Sequence, residues 1–178
     1  MFNAANDTHF SLAIDGVEHD LQILAFTGRE AISQPYRFDL ELVSERPDLA
    51  LQSLLHKSAY LSFSPARYRV TLVPQLDYLA HRTDQRIFQH LTVPQIIAQV
   101  LEGHGIQANA YRFQLGPVVY PERDYCTQYD ETDLHFIQRL CEEEGLHFHF
   151  EHSRQGHVLV FGDDQTSFPQ LESIGFSQ

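Results

Sequence analysis

Arg123-Asp124-Tyr125-Cys126-Thr127-Gln128-Tyr129-Asp130-Glu131-Thr132-Asp133-Leu134-His135-Phe136-Ile137-Gln138-Arg139-Leu140-Cys141-Glu142-Glu143-Glu144-Gly145 is the stretch that decides the fold. It reads as a short extended lead followed by an amphipathic helix from about Glu131 to Glu144. Leu134, Phe136, Ile137, Leu140 and Cys141 recur at helical spacing and make its apolar face. Asp130 or Thr132 is placed to cap the start, and Gly145 suits the left-handed stop position. Glu142, Glu143 and Glu144 crowd the last turn, where the helix dipole disfavours negative charge. A basic partner for them is expected, within the fold or across an interface.

Upstream of this stretch the chain reads mostly as strand. Phe10–Ile14 alternates and meets Asp15-Gly16, a hairpin signal, before a second run from Val17 to Phe26. Tyr36–Val43 is apolar at 36, 38, 40 and 42, the pattern of a half-buried antiparallel strand. Asp48 heads a short helix to Leu55, and strands follow near Ala59–Phe63 and Tyr68–Pro74. Strands of this length can curl into a small barrel. Leu76–His81 reads as a turn or two of helix and Arg82–Gln89 as a connector. Thr92–Glu102 reads as a helix with a Thr92/Gln95 capping box, Pro94 in its first turn and Gly103 as its stop. Ala108–Phe113 and Val118–Tyr120 are weaker strand candidates, and Leu146–His152 with Gly156–Phe161 makes a hairpin. The fold class expected is α+β, mainly β: small antiparallel barrel architecture with two or three short helices, divided as 1–75 and 76–178, the second part helix-containing and interlocked with the first.

The 178-residue chain carries a formal net charge of -12, with 13 Phe, 8 Tyr and no Trp. Such acidity opposes phosphate binding, which argues against nucleic acid, and opposes a polybasic membrane contact. No run reaches the roughly 18 apolar residues of a membrane helix. The N-terminal residues lack the basic and apolar regions of a signal peptide. Cys126 and Cys141 form no CxxC, and Cys141 falls on the apolar helix face, so a buried free thiol is expected there.

No catalytic constellation emerges. His147 and His149 share one strand face, with His152 and His157 nearby, and four histidines on a hairpin could cage a metal. The favoured reading is a solvent-facing polar side opposite Phe148 and Phe150. Glu142–Glu144 do not converge as an acid/base pair, because only residues three or four apart are neighbours on a helix. Asp130, Glu131 and Asp133 lack the EF-hand spacing and read as dipole-favoured acids at a helix start. Ser33 and Ser44 lack a nucleophile-elbow context. Catalytic, cofactor and metal residues are therefore expected to be none.

The run Gln128-Tyr129-x-Glu131-Thr132-Asp133-x-x-Phe136-Ile137-x-Arg139-Leu140-x-Glu142-Glu143-Glu144-Gly145 resembles the signature of the type VI secretion spike proteins, the valine-glycine repeat family related to phage tail hubs. Two further stretches resemble the same family in order: Phe26–Leu42, with its Ser-x-Pro-Tyr-x-Phe pattern, and Tyr68–Ala80 followed by Arg86–Gln89. The resemblance implies a phage tail hub-like head in which Gln128, Tyr129, Glu131, Thr132, Asp133, Phe136, Arg139, Glu143 and Gly145 mark fold rather than chemistry. It implies a homotrimer whose β-barrels build a short cylinder, 1–75 supplying the first tube-type barrel, and whose pseudo-sixfold symmetry docks on a hexameric secretion tube. It also implies a tip protein and effectors carried by an OB-like domain and β-needle. The chain stops at Gln178 before those parts, as an N-terminal fragment would. Ser64-Pro65-Ala66-Arg67 is shorter than the family's hairpin-bearing connection, which points to a mobile segment left out of the sequence, with a true deletion as the alternative.

The expected function is thus structural: a spike subunit assembled in the bacterial cytoplasm and exported by the type VI apparatus without a signal peptide, its copies joined head to tail in a cyclic C3 arrangement. A phage contractile-tail hub shares the same head. The rival from another class is a small metal-dependent hydrolase using His147, His149, His152 or His157. A soluble immunity or adaptor protein is a third reading.

Overall fold

The computed structural model describes residues 12, 21–44, 59–64, 67–153 and 156–168. The Asp15-Gly16 hairpin, the helix from Asp48, the centre of the Ser64–Arg67 connection, the turn at Arg154-Gln155 and the tail after Phe168 lie outside the described residues. The chain divides into two compact units, Met1–Glu30 with Pro35–Gln75, and Ala31–Gln34 with Leu76–Gln178.

In the first unit, β1 (Gln22–Arg29), β2 (Arg37–Val43), β3 (Ala59–Ser64) and β4 (Arg67–Leu72) form an antiparallel sheet in the order β1-β2-β4-β3. Alternation does the sorting, since successive side chains point to opposite faces. Leu40, Leu42, Tyr68 and Val70 are buried together on one face. The other face carries cross-strand polar pairs. Asp39 accepts from Arg37 and from the Thr71 hydroxyl, and Arg69 donates to Glu41. Gly28 lies opposite Phe38 in the register, and a Cβ there would stand 2.6 Å from the Phe38 ring. Among the described residues this is an open four-stranded sheet, and no closed barrel is formed.

The second unit holds the helices. A 3-10 turn (Gln75–His81) leads into β5 (Thr83–Phe88), then α1 (Val93–Gly103), β6 (Tyr111–Gln114), β7 (Cys126–Thr132), α2 (Asp133–Glu144), β8 (His147–Ser153) and β9 (Gly156–Gly162). β5 pairs with β7, while β9 lies between β6, parallel, and β8, antiparallel. One core joins Ile96, Ile97, Val100 and Leu101 of α1, Phe136, Ile137, Leu140 and Cys141 of α2, and Phe148, Leu159 and Phe161 of the sheet. Thr92 caps α1 through the full capping box. The segment Ala31–Gln34 belongs to this unit because Ser33 engages it. The Ser33 N–H donates to the Phe148 carbonyl at 2.8 Å, and its own carbonyl accepts from Gln138 Nε2 at 2.9 Å.

Four readings from sequence need correction. Arg82–Gln89 is no connector, since it contains β5. The strand ahead of α2 runs through Thr132, so the helix begins at Asp133 rather than Glu131. Val118–Tyr120 forms no strand; prolines 117 and 121 flank it, and Asp163 holds the loop by accepting from the Gly116 N–H and the Tyr120 hydroxyl. Gly103 is still helical, and the reversal falls on Gly105, whose φ is 77°.

Candidate functional site

The residues quoted at the outset meet around one carboxylate. Asp133 is completely buried at the first position of α2, so it does more than sit as a dipole-favoured acid at the helix start. A buried carboxylate needs both charge partners and hydrogen bonds, and four side chains supply them. Asp133 Oδ1 accepts from Arg86 of β5 and, at 2.7 Å, from Gln128 Nε2 of β7. Oδ2 lies 2.5 Å from His104 Nε2 and 3.6 Å from Arg82 Nε. Gln128 is itself fully buried; its Oε1 accepts from Arg86 at 2.7 Å while its Nε2 also donates to the Glu131 carbonyl at 3.0 Å.

Local backbone features aim these groups. β7 carries one residue more than β5 between Gln85 and Asp84, and Asp130 takes up the irregularity with φ of 50°. Such a bulge changes the phase of alternation. Cys126 and Gln128 point inward and Tyr129 outward by ordinary alternation, and the extra residue leaves Asp130 exposed beside Tyr129 before the chain turns into α2. Thr132, not Asp130, caps that helix, its hydroxyl accepting from the His135 N–H at 3.1 Å. The Asp133 N–H donates to the Arg82 carbonyl at 2.9 Å, so side chain and backbone tie the same two elements.

A second, outer network covers the length of α2. Glu131 accepts from Arg139 at 2.6 Å and lies 2.8 Å from His135 Nδ1. The Arg139 bond chiefly holds the Glu131 carboxyl below the usual range, against the opposing pull of burial. Arg139 also reaches Glu143 at 2.8 Å. Arg123 closes the far end, donating to Glu143 at 2.7 Å and to Glu144 at 2.5 Å. This is the basic partner that the acidic last turn required. Arg123 is itself fixed by backbone bonds with Leu91 and His90. Removing it as Arg123→Ala should lower stability by about 1 kcal/mol at low salt. The loss should shrink in high salt, when urea denaturation is compared at two ionic strengths. Gly145 then ends the helix in the left-handed conformation, at φ of 69°.

Chemically this arrangement binds rather than reacts. Both Asp133 oxygens are engaged by donors, which leaves little lone-pair capacity for a base. Cys126 and Cys141 are free and buried, and burial pushes the Cys141 thiol up to about 12. A thiol so shifted is a poor nucleophile. Among the described residues no group of three or more His, Cys, Asp and Glu is placed to hold a metal. Of the residues in the quoted signature, Tyr129 stands apart at 74% exposed, on the outer face of β5–β7 with Ile87 and Tyr125.

The histidines also differ from expectation. His147 and His149 do not form a solvent-facing strip, because both rings lie against Phe168, with centroids 4.6 and 5.1 Å away. His152 and His157 sit at the other end of the hairpin, beside Phe150. The four histidines therefore form two separate pairs.

A profile of the phage tail baseplate hub (GPD) family matches residues 62–177. The chain belongs to the phage tail baseplate hub family. Its fold is accordingly hub-like, mostly β with few helices. Among hub-family relatives it is 62% identical to the type VI secretion system spike protein VgrG4b of Pseudomonas aeruginosa, over 192 residues covering 96% of this chain and 24% of that protein. It is also 62% identical to VgrG5 of the same organism, covering 97% of this chain and 24% of the relative. The chain thus spans about a quarter of the length of these relatives. Both alignments are longer than the 178-residue chain, so each relative carries residues without counterpart here. Among solved structures, the Escherichia coli c3393 protein superposes with a TM-score of 0.79 at 30% identity, over 90% of this chain and 51% of that one. It is described as a type VI secretion component with structural similarity to the T4 bacteriophage tail proteins gp27 and gp5. No helix among the described residues is long and apolar enough to cross a membrane.

Proposed function

We propose that this chain is the hub-like head of a type VI secretion spike, a structural subunit of a homotrimer that docks on the hexameric secretion tube. The observation that carries the reading is the 62% identity to a spike protein across 96% of the chain. The geometry supports it, because the signature residues are engaged in bracing a helix against a sheet rather than in presenting reactive groups. A head of this kind works mechanically: rigid units transmit thrust, and symmetry-matched interfaces replace chemistry. In this reading 1–75 contributes a tube-type barrel and 76–178 the interlocked α+β subdomain. The nine signature residues from Gln128 to Gly145 fix the fold, and the chain uses no catalytic residue, metal or cofactor. The assembly forms in the bacterial cytoplasm and leaves through the type VI apparatus, with tip protein and effectors carried by regions beyond this one. The phage contractile-tail hub is the second reading, favoured by the family description itself.

The test uses the full-length protein. Light scattering across a concentration series should give three copies per particle, and those particles should capture rings of the tube protein. A full-length protein that stays monomeric throughout the series overturns the reading.

A further inference from the structure

Beyond the mechanical role, and independent of it, we infer that His149 and Phe168 form an acid-released latch holding the segment after β9 against the second unit. β8, β9 and β6 present one face on which His149 lies opposite Val160, and Val160 opposite Arg112. After Gly162 the chain passes through a short 3-10 turn (Gln165–Ser167) and returns Phe168 onto this face. Phe168 stacks on His147 at an interplanar angle of 20° and packs at 39° against His149. The two imidazoles themselves stack at 6.2 Å. Val160 beneath is completely buried.

The decisive feature is polar. Both ring nitrogens of His149 are buried, and neither has a hydrogen-bond partner among the described residues. A neutral imidazole tolerates this better than an imidazolium, which would bury two charged donors without acceptors. The surrounding groups pull both ways, and burial outweighs them. On β8, His147 adds a like charge when protonated, whereas Glu151, 3.9 Å from His149 Nε2, favours the charged ring. Glu151 is already bound by Arg112 of β6, whose positive charge also opposes protonation. Beyond β9, Asp163 and Asp164 favour protonation of His147 more weakly than burial opposes it, and they are engaged by Gly116 and Tyr120 and by Thr166 respectively. The Phe168 face can attract an imidazolium, but it supplies no acceptor to either nitrogen.

Burial holds the His149 and His147 rings below the ordinary histidine value of 6.5. For a group whose folded value is depressed, the stabilisation is full above 6.5 and is lost as pH falls below it toward the folded value. Protonation then favours the open arrangement, where water solvates the ring and Phe168 leaves the sheet.

The chain has no tryptophan, so Phe168→Trp places a single tryptophan on the latch, read by excitation at a wavelength its 8 tyrosines do not absorb. Its emission should be blue-shifted and shielded from iodide at pH 8, then red-shifted and quenched by pH 5 with far-UV dichroism unchanged. The same reporter with His149→Phe should stay shielded through that range, while His152→Gln should leave the transition intact. A reporter that does not change between pH 8 and 5, or that changes equally with His149→Phe, overturns the latch. A second measurement is independent of the reporter. The NMR titration of His149 should lie below 6.5 in the unmodified chain and rise toward it in Phe168→Ala, and an unshifted His149 in the unmodified chain overturns the inference as well.

Discussion

Replacing Asp133 with alanine should remove about 3–5 kcal/mol of unfolding free energy, the usual consequence of deleting one partner from a buried ion pair. The side chain is fully buried, and its loss removes the carboxylate on which Arg86, Gln128, His104 and Arg82 converge. Arg86 keeps Gln128 Oε1 and, at 3.2 Å, the Asp84 carboxylate, but loses its fully buried counter-charge. His104 loses a contact of 2.5 Å and Gln128 one of 2.7 Å. Asp133→Asn should be milder, since an amide keeps the volume and one acceptor oxygen while withdrawing the charge. Urea denaturation followed by circular dichroism reads both. A loss below about 1 kcal/mol for the alanine variant, within the range of an exposed salt bridge, would mean that water reaches the cations and that the cluster does not brace the helix. The expected figure measures the stranded charge, not the net value of the cluster against an apolar substitute.

The same cluster explains where the sequence could and could not be read. α1 and α2 were legible because their buried faces are apolar at helical spacing and their ends carry Thr92, Thr132 and Gly145, residues with local geometric reasons to be there. β2 was legible by its period of two. β5 was missed because two of its inward positions, Asp84 and Arg86, face the Asp133 network rather than an apolar core. A binary pattern takes polar to mean outside, and fails where the inside is polar and paired. Asp133 was read only in part for the same reason: it is an acid in the first turn, as expected, but the dipole is a sufficient local explanation, and nothing nearby in sequence announces Arg86 or His104. His147 and His149 were read as solvent-facing because the residue that covers them, Phe168, comes well after the strand. Tyr129 was read only as a mark of the fold; its outward position follows from alternation with the buried Cys126 and Gln128.

β5 and α2 are joined at two successive levels, and the second sets the other large effect. Arg86 meets Asp133 at the helix start; two residues along the strand, Phe88 stacks on Phe136 one helical turn further in, at 5.6 Å and 18°. Phe136 has no exposed surface, and the Arg139 guanidinium carbon lies 5.3 Å from its ring centroid. Phe136→Ala should therefore lose about 3–5 kcal/mol, the transfer of a buried aromatic plus the cavity left behind. Ile137→Val, one position along in the same core, should lose only about 0.5–1.5 kcal/mol. Because Asp133 and Phe136 are neighbours on one helix and hold one strand, the double variant should lose less than the sum of the two single losses. Once β5 has lost either anchor, the other restrains a strand already free to move. Hydrogen exchange separates this from general weakening: the β5 amides should lose protection in either single variant before those of α1 do. Equal loss across both elements would mean that Phe136 acts through the whole core, and that the paired anchoring of β5 is not what the polar and aromatic contacts have in common.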